Sequence, residues 1–296
     1  DVLSRRGAHE EDLARITQGL ARCVLKKRYP SNNWSLLAQL CRVIEATPAQ
    51  RPEQVKRFCR LLDRWMTPAG GFIDFPARPQ RGGATPMTYH HKALFLATTA
   101  AWFQDDPALT LRIERLLDWV GLCWDGDGYV GGFGRSTHAL FGDGCLLASL
   151  TLLGLAGGRE DCSGWPAMVD GILRRLQFRQ REDGFYGLNP ARAEGRCGWD
   201  GYMALSVYNA WFAAVLAWAH AITTVRPMPE CVERMSVSRF SADSTGNERG
   251  QAALIHDDRA GLLKVATESG LTMLFSTRGQ PPQAFSQHEM EFRYSG

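Results

Sequence analysis

Lysine is nearly absent from this chain: of its 34 cationic residues only Lys26, Lys27, Lys56, Lys92 and Lys264 are lysine, and the other 29 are arginine. Guanidinium groups bind carboxylate and sulfate bidentately, although GC-rich coding produces the same skew. An excess of charge is also missing. With 31 acidic residues the net charge is only +3, which gives no electrostatic case for nucleic acid or an anionic membrane. The eight cysteines contain no CxxC and no close pairing with histidine, which excludes zinc-ribbon and thioredoxin-type sites. Most lie in apolar helical patterns such as Val55-Phe58-Cys59-Leu62 and read as small hydrophobes. No P-loop, GxGxxG after a strand, HExxH or GxSxG occurs, which counts against nucleotide, dinucleotide, zincin and serine-hydrolase chemistry. The chain starts at Asp1 with no initiator Met or signal peptide, as expected of a processed chain or an excerpt. The most apolar stretch, residues 203–222, approaches spanning length but holds Asn209 and His220. It is expected to be a buried helix, so no membrane span is predicted.

What is present is an ordinary globular composition: 296 residues, 45% hydrophobic and 22% charged, room for one large or two modest domains. Apolar spacings of three and four predict eight helices near 9–28, 32–46, 52–66, 87–104, 107–124, 138–156, 165–180 and 202–223. Ser31 is placed to cap the second, and Pro52 and Pro107 suit first turns. Beyond Arg226-Pro227-Met228-Pro229 the texture changes, and residues 236–240, 253–255, 262–267, 271–276 and 290–294 read as strands. The expected architecture is mainly α: a helical domain over 1–226, then the start of a β domain over 227–296 that is cut inside a larger fold.

The helical part repeats. Gly71 before Phe72, Gly128 before Tyr129 and Gly184 before Phe185 are 57 and 56 residues apart, and each Gly-aromatic turn falls between one helix pair and the next. The repeating unit is an αα-hairpin, and such hairpins stack into a solenoid or close into an (α/α) toroid. With helices running antiparallel in turn, the start of the second helix and the loops 67–86, 125–137 and 181–201 share one rim. These loops are longer than the links at the opposite end, and long loops gathered on one face are where a site is expected.

That rim carries Asn32-Asn33-Trp34, Asp74, the segment from Thr85 to Lys92, Arg135, His138, Arg192, Arg196, Trp199 and Tyr202. Asn33 and Tyr89 are one repeat apart and are expected in the first turns of neighbouring inner helices. His220 falls at the opposite rim. Each of these residues has a plainer reading beside the functional one. Asn32 and Asn33 can start a helix, Tyr89 and His90 can be a core pair, and Trp34, Trp199 and Tyr202 can be packing. Asp125-Gly126-Asp127-Gly128 resembles the start of a calcium loop, but its twelfth position is Ser136 rather than Glu, so no metal site is expected.

Asn32-Asn33-Trp34 opening a helix, followed one hairpin later by Gly71-Phe72-x-Asp74 and Thr85-Pro86-x-x-Tyr89-His90, resembles the toroidal polysaccharide lyases, particularly the heparinase II/III-like and related alginate lyase families. Asn-Asn-Trp and Gly134-Arg135-Ser136 also look like motifs of the chondroitin and hyaluronate lyases. The motifs cover residues 30–140. The resemblance implies an (α/α) toroid followed by a β-sandwich, β-elimination on a uronate-containing acidic polysaccharide, no cofactor, and a periplasmic or secreted location. A uronate C5 proton is barely acidic beside a charged carboxylate, so some group must neutralise that carboxylate; the resemblance gives this to Asn33. It makes Tyr89 the acid or base, with Arg135 or a histidine lowering its pKa. His138 and His90 are candidate partners. The family's further histidine, from the β domain, is matched loosely by His288 in Phe285-Ser286-Gln287-His288, where the first His and the Asp of the pattern are missing. Trp34, Arg192, Arg196, Trp199 and Tyr202 are the expected substrate-binding residues.

Two other readings remain open on the residues. An (α/α)-barrel glycoside hydrolase needs two carboxylates, which Asp74, Asp127, Asp183 and Asp200 could supply. A non-catalytic glycan-binding protein needs only the aromatic rim. The sequence leaves the oligomeric state and the particular uronate undetermined.

Overall fold

Residues 7, 9–26, 29, 31–74, 87–124, 126, 130, 140–157, 164–188, 205–236, 253–267 and 271–278 are described in the computed structural model. The helices among them are α1 (Glu10–Ala21), α2 (Asn32–Glu45), α3 (Arg51–Trp65), α4 (Met87–Phe103), α5 (Pro107–Cys123), α6 (Leu140–Leu152), α7 (Trp165–Gln177), α8 (Leu205–Val225) and the short α9 (Glu230–Glu233). The first eight correspond to the helices that the apolar spacing predicts, although α1 stops at Ala21 rather than near residue 28 and buries none of its residues, and α6 ends at Leu152 rather than 156; the short α9 is not predicted.

Two kinds of helix build two layers. The outer helices carry one apolar stripe: α3 buries Val55, Phe58, Cys59 and Leu62, the i, i+3, i+4, i+7 pattern of a helix with one wet face. By contrast α4 is buried continuously from Met87 to Trp102, its histidines, threonines and Lys92 included, and α6 is buried on every side with Asp143 among its buried residues. Helices α2, α4, α6 and α8 pack in succession as an inner row, with α3, α5 and α7 outside them. The inner row curves, because Phe95 of α4 meets Trp218 of α8 edge-on at 6.0 Å. This curved double layer of helical hairpins is the arrangement from which an (α/α) toroid is built.

The repeated turns are closed by the same device. Antiparallel bridges join Met66 to Phe72, Trp124 to Val130 and Gln180 to Tyr186. In the first and third turns the left-handed glycine sits four residues after the bridge start, at Gly70 (φ 99°) and Gly184 (φ 82°), where other residues are strained. Gly70, not Gly71, is therefore the equivalent of Gly184, one residue off the register of the Gly-aromatic pairs. A Cβ at Gly70 would also lie 2.0 Å from the Arg115 carbonyl oxygen.

Capping differs from expectation at one helix. Asp106 caps α5 by accepting from Ala108 and Leu109 N–H at 2.8 and 3.3 Å, with Pro107 in the first turn. Ser31 makes no such bond to the backbone of α2. There Asp74, distant in sequence, accepts the Asn33 N–H at 2.9 Å.

Among the described residues after α9 there is one three-stranded antiparallel sheet, β1 (Ala253–Asp257), β2 (Leu262–Ala266) and β3 (Thr272–Ser276) in that order. It packs on the turn ends of the outer helices: Thr67 donates to the Asp257 carboxylate, and Lys264 donates to the Leu122 carbonyl at 2.8 Å. The second sheet of the expected sandwich is not among the described residues, and the strand expected at 236–240, beyond its first residue, and the one expected at 290–294 lie outside them. Among the described residues no helix is long and apolar enough to cross a membrane.

Candidate functional site

All four inner helices send side chains into one cavity of about 390 Å³, lined by Asn33, Trp34 and Leu37 of α2, Tyr89 and Lys92 of α4, Phe141 of α6, and Val207, Tyr208 and Trp211 of α8. Its size lies in the range of small-molecule sites, about 300–1,000 Å³. It opens at the N-terminal ends of the inner helices, the rim that the loop lengths predict. Phe141 is the hub of its aromatic wall, with ring centroids 5.9 Å from Tyr89, 5.7 Å from Tyr208 and 6.3 Å from Trp211. Trp34, half exposed, forms one lip.

Among the described residues that line the cavity, Lys92 is the charged one. Its ammonium lies 4.7 Å from the Trp34 ring centroid and 5.6 Å from that of Trp211, so ring faces of α2 and α8 hold it by cation–π attraction. Burial pushes its pKa below the ordinary lysine value, since a low-dielectric setting disfavours the charged form. It donates to Asn33 Oδ1 at 2.8 Å.

Asn33 is fully engaged elsewhere. Its Nδ2 donates to Asp74 Oδ1 at 2.6 Å and to Ser31 Oγ at 3.0 Å, which uses both amide hydrogens. Flipping the amide would set its NH₂ against the Lys92 donors and its oxygen against the Asp74 carboxylate, so its orientation is fixed by its neighbours. The role of direct carboxylate ligand, implied for Asn33 by the resemblance, is corrected by this geometry: no amide hydrogen is left for a substrate. Asn32 donates to the Ile73 carbonyl at 2.7 Å, so the Asn-Asn pair anchors the start of α2 to residues 73–74.

His90 is likewise corrected. It does not line the cavity. Its Nδ1 accepts the Phe72 N–H at 3.1 Å, and its Nε2 lies 2.9 Å from the Leu116 carbonyl oxygen. Those partners require the neutral Nε2–H tautomer. Burial, then the charge of His91, pushes its pKa down to about 3, so this ring is a structural strut between a turn and an outer helix. The third turn uses the same strut with another residue: Asn209 accepts the Tyr186 N–H at 2.8 Å and donates back to its carbonyl at 3.0 Å.

Tyr89 and Trp34 both line the cavity. Arg135, His138, Arg192, Arg196, Trp199, Tyr202 and His288 lie outside the described residues. The expectation missed Lys92, Phe141, Tyr208 and Trp211 as site residues. A helical signal for two of them was present, since Lys92 follows Tyr89 by three and Trp211 follows Tyr208 by three, which places each pair on one face. His90, one residue from Tyr89, turns away by about 100° on the same 3.6-residue period.

The buried thiols take no part in this chemistry. Burial raises Cys123 and Cys145 to about 12 and Cys59 to about 11, far from the thiolate form that reacts. Among the described residues there is no group of three or more His, Cys, Asp or Glu placed to hold a metal.

No known protein family and no curated protein matches the chain. Among solved structures it is similar to a glycosyl hydrolase of family 88 from Bacteroides vulgatus, with 12% identity, a TM-score of 0.48, and coverage of 70% of this chain and 67% of that one. A likeness at this level carries no inference about activity.

Proposed function

We propose that this protein is a glycan-processing enzyme whose cavity takes one ring of an acidic, uronate-containing polysaccharide and cleaves the chain by β-elimination. The observation that carries this reading is the joint presence of Tyr89, a cation at Lys92 and ring faces from Trp34, Tyr208 and Trp211 around one small cavity. Sugar rings present flat C–H faces that pack on aromatic side chains, and tyrosine is an acid or base of the right reach for proton transfer at a ring carbon. In the reaction the base removes the proton at C5 of the uronate. The C4–O bond then breaks, a C4=C5 double bond forms, and the leaving oxygen receives a proton. The carboxylate beside C5 must be neutralised so that the enolate-like charge can develop.

The resemblance of Asn32-Asn33-Trp34 and of Tyr89-His90 to toroidal lyases supports the elimination. A hydrolase would need two carboxylates facing the scissile bond. Of the candidate carboxylates, Asp74 stands behind Asn33 and is 1% exposed, Asp183 pairs with Arg181 at 2.7 Å away from the residues that line the cavity, and Asp127 and Asp200 lie outside the described residues. Incubation with alginate, hyaluronan, heparosan and related polymers is expected to release a product that absorbs in the ultraviolet. New reducing ends without that absorbance would replace the lyase with a hydrolase. Tight binding of intact polymer with no cleavage would leave a binding protein.

A further inference from the structure

We propose that Lys92, not Asn33, is the group that receives the substrate carboxylate, and that Asn33 and Asp74 are positioning residues that aim it. This rests on the reading of the cavity as an acidic-glycan site and adds its specificity-determining residue.

The geometry assigns the three residues different work. Asp74 Oδ1 accepts both the Asn33 N–H and its Nδ2–H, at 2.9 and 2.6 Å. The carboxylate thereby fixes the asparagine side chain against its own helix start. Asn33 Oδ1 in turn accepts from Lys92 Nζ at 2.8 Å. A lysine ammonium has three donors, and the other contacts of Nζ are the faces of Trp34 and Trp211, which attract the cation without consuming a hydrogen in a conventional bond. Lys92 therefore keeps donors for an anion entering between the two rings. Asn33 keeps none, because Ser31 Oγ takes its remaining hydrogen at 3.0 Å.

The arrangement also explains why a charged side chain is tolerated at 5% exposure in the middle of a buried helix. A buried ammonium with no anion directly against it is unfavourable, and a carboxylate arriving at the open side relieves it. Such a site prefers an anionic ring over a neutral one of the same shape, since only the anion completes the pair.

The test compares oligosaccharides of alginate, hyaluronan and heparosan with their carboxyl-reduced counterparts, in which CH₂OH replaces COO⁻. Binding is read by quenching of the tryptophan fluorescence and by calorimetry. The wild-type protein is expected to bind at least one acidic form at least tenfold more tightly than its reduced form. Lys92→Met, and separately Lys92→Gln, should bring that ratio close to one while the thermal midpoint shows both variants folded. Asn33→Ala should lower the ratio by less, because the ammonium remains but loses its aim; a merely structural role would weaken both forms equally and leave the ratio intact. Retention of the wild-type ratio by folded Lys92→Met and Lys92→Gln overturns the assignment to Lys92 while leaving the acidic-glycan reading in place. If the wild-type protein binds none of the acidic forms, or binds them no better than the reduced ones, the acidic-glycan reading itself falls, and the assignment with it.

Discussion

Phe72 donates its backbone N–H to His90 Nδ1 across 3.1 Å, joining the first glycine turn to the inner helix behind it. The ring accepts there only while neutral. Burial moves His90 from the ordinary 6.5 to about 3, and His91 beside it to about 4. Both folded-state values lie below the unfolded ones, so the unfolded chain binds more protons between the two. The stability these rings contribute is complete above pH 6.5 and declines as pH falls towards 4, by up to about 1.4 kcal/mol per pH unit for each histidine. Urea denaturation between pH 7.5 and 4.5 should show this slope. His90→Gln should reduce it by about one proton and lower stability at pH 7 by about 1–3 kcal/mol through the loss of buried hydrogen bonds. An unchanged slope in that variant would mean that His90 is charged in the folded protein.

Tyr89→Phe tests the proposed proton transfer. The ring stays against Phe141, 5.9 Å away, so packing is preserved and only the hydroxyl is lost. Turnover on the cleaved polymer should fall at least about 100-fold, the usual contribution of a positioned acid or base, with KM little changed. Full activity would remove Tyr89 from the mechanism and leave the fold untouched.

Trp34→Ala separates binding from chemistry. Trp34 is 51% exposed, so its removal should lower stability only by its cation–π contact with Lys92, about 0.5–1 kcal/mol. Its ring faces the cavity and the Lys92 ammonium. Loss of the platform should raise KM about tenfold, which corresponds to the ~1.4 kcal/mol of a single stacking or cation–π contact. Steady-state kinetics in which kcat falls and KM does not would assign Trp34 to the chemical step.

Asp143→Asn tests a charge cluster away from the cavity. Asp143 in the first turn of α6 accepts from Arg175 of α7 at 3.0 Å and from Arg179 just beyond α7 at 2.8 Å, with all three side chains at most 8% exposed. Removing the anion leaves two buried guanidinium groups without it, a change expected to destabilise by about 3–5 kcal/mol. Chemical denaturation should show the loss. A midpoint within error of wild type would mean that the arginines turn out to solvent.

The helices were legible because their burial is written in local spacing. The stripe of Val55, Phe58, Cys59 and Leu62 marks a helix with one buried face before any contact is known, whereas the continuous burial of α4, with its histidines, threonines and Lys92, is seen only in the packed structure. Pro107 and Asp106 mark a helix start by chemistry confined to three residues. The glycine turns were legible as a repeat, although the equivalence of Gly70 with Gly184 shows only in the bridges that close them. The spacing of the struts was not legible: Phe72 to His90 is 18 residues and Tyr186 to Asn209 is 23, and the two side chains differ in kind, so no periodic search connects them.

The site divides along the same line. The sequence alone determined the mainly α architecture, the hairpin repeat, and the end of the hairpins at which Trp34 and Tyr89 stand, since all of these follow from periodicity and loop length along the chain. Which of the polar residues gathered there faces the cavity was decided by tertiary structure. Asn33 spends its amide on Asp74, 41 residues away, and on Ser31, and His90 spends its ring on Phe72 and Leu116. Lys92 meets Trp34 and Trp211 only because the inner row curves and brings α8 back towards α2. A side chain's chemistry depends on which partners have already taken its donors and acceptors, and those partners lie far apart along the chain.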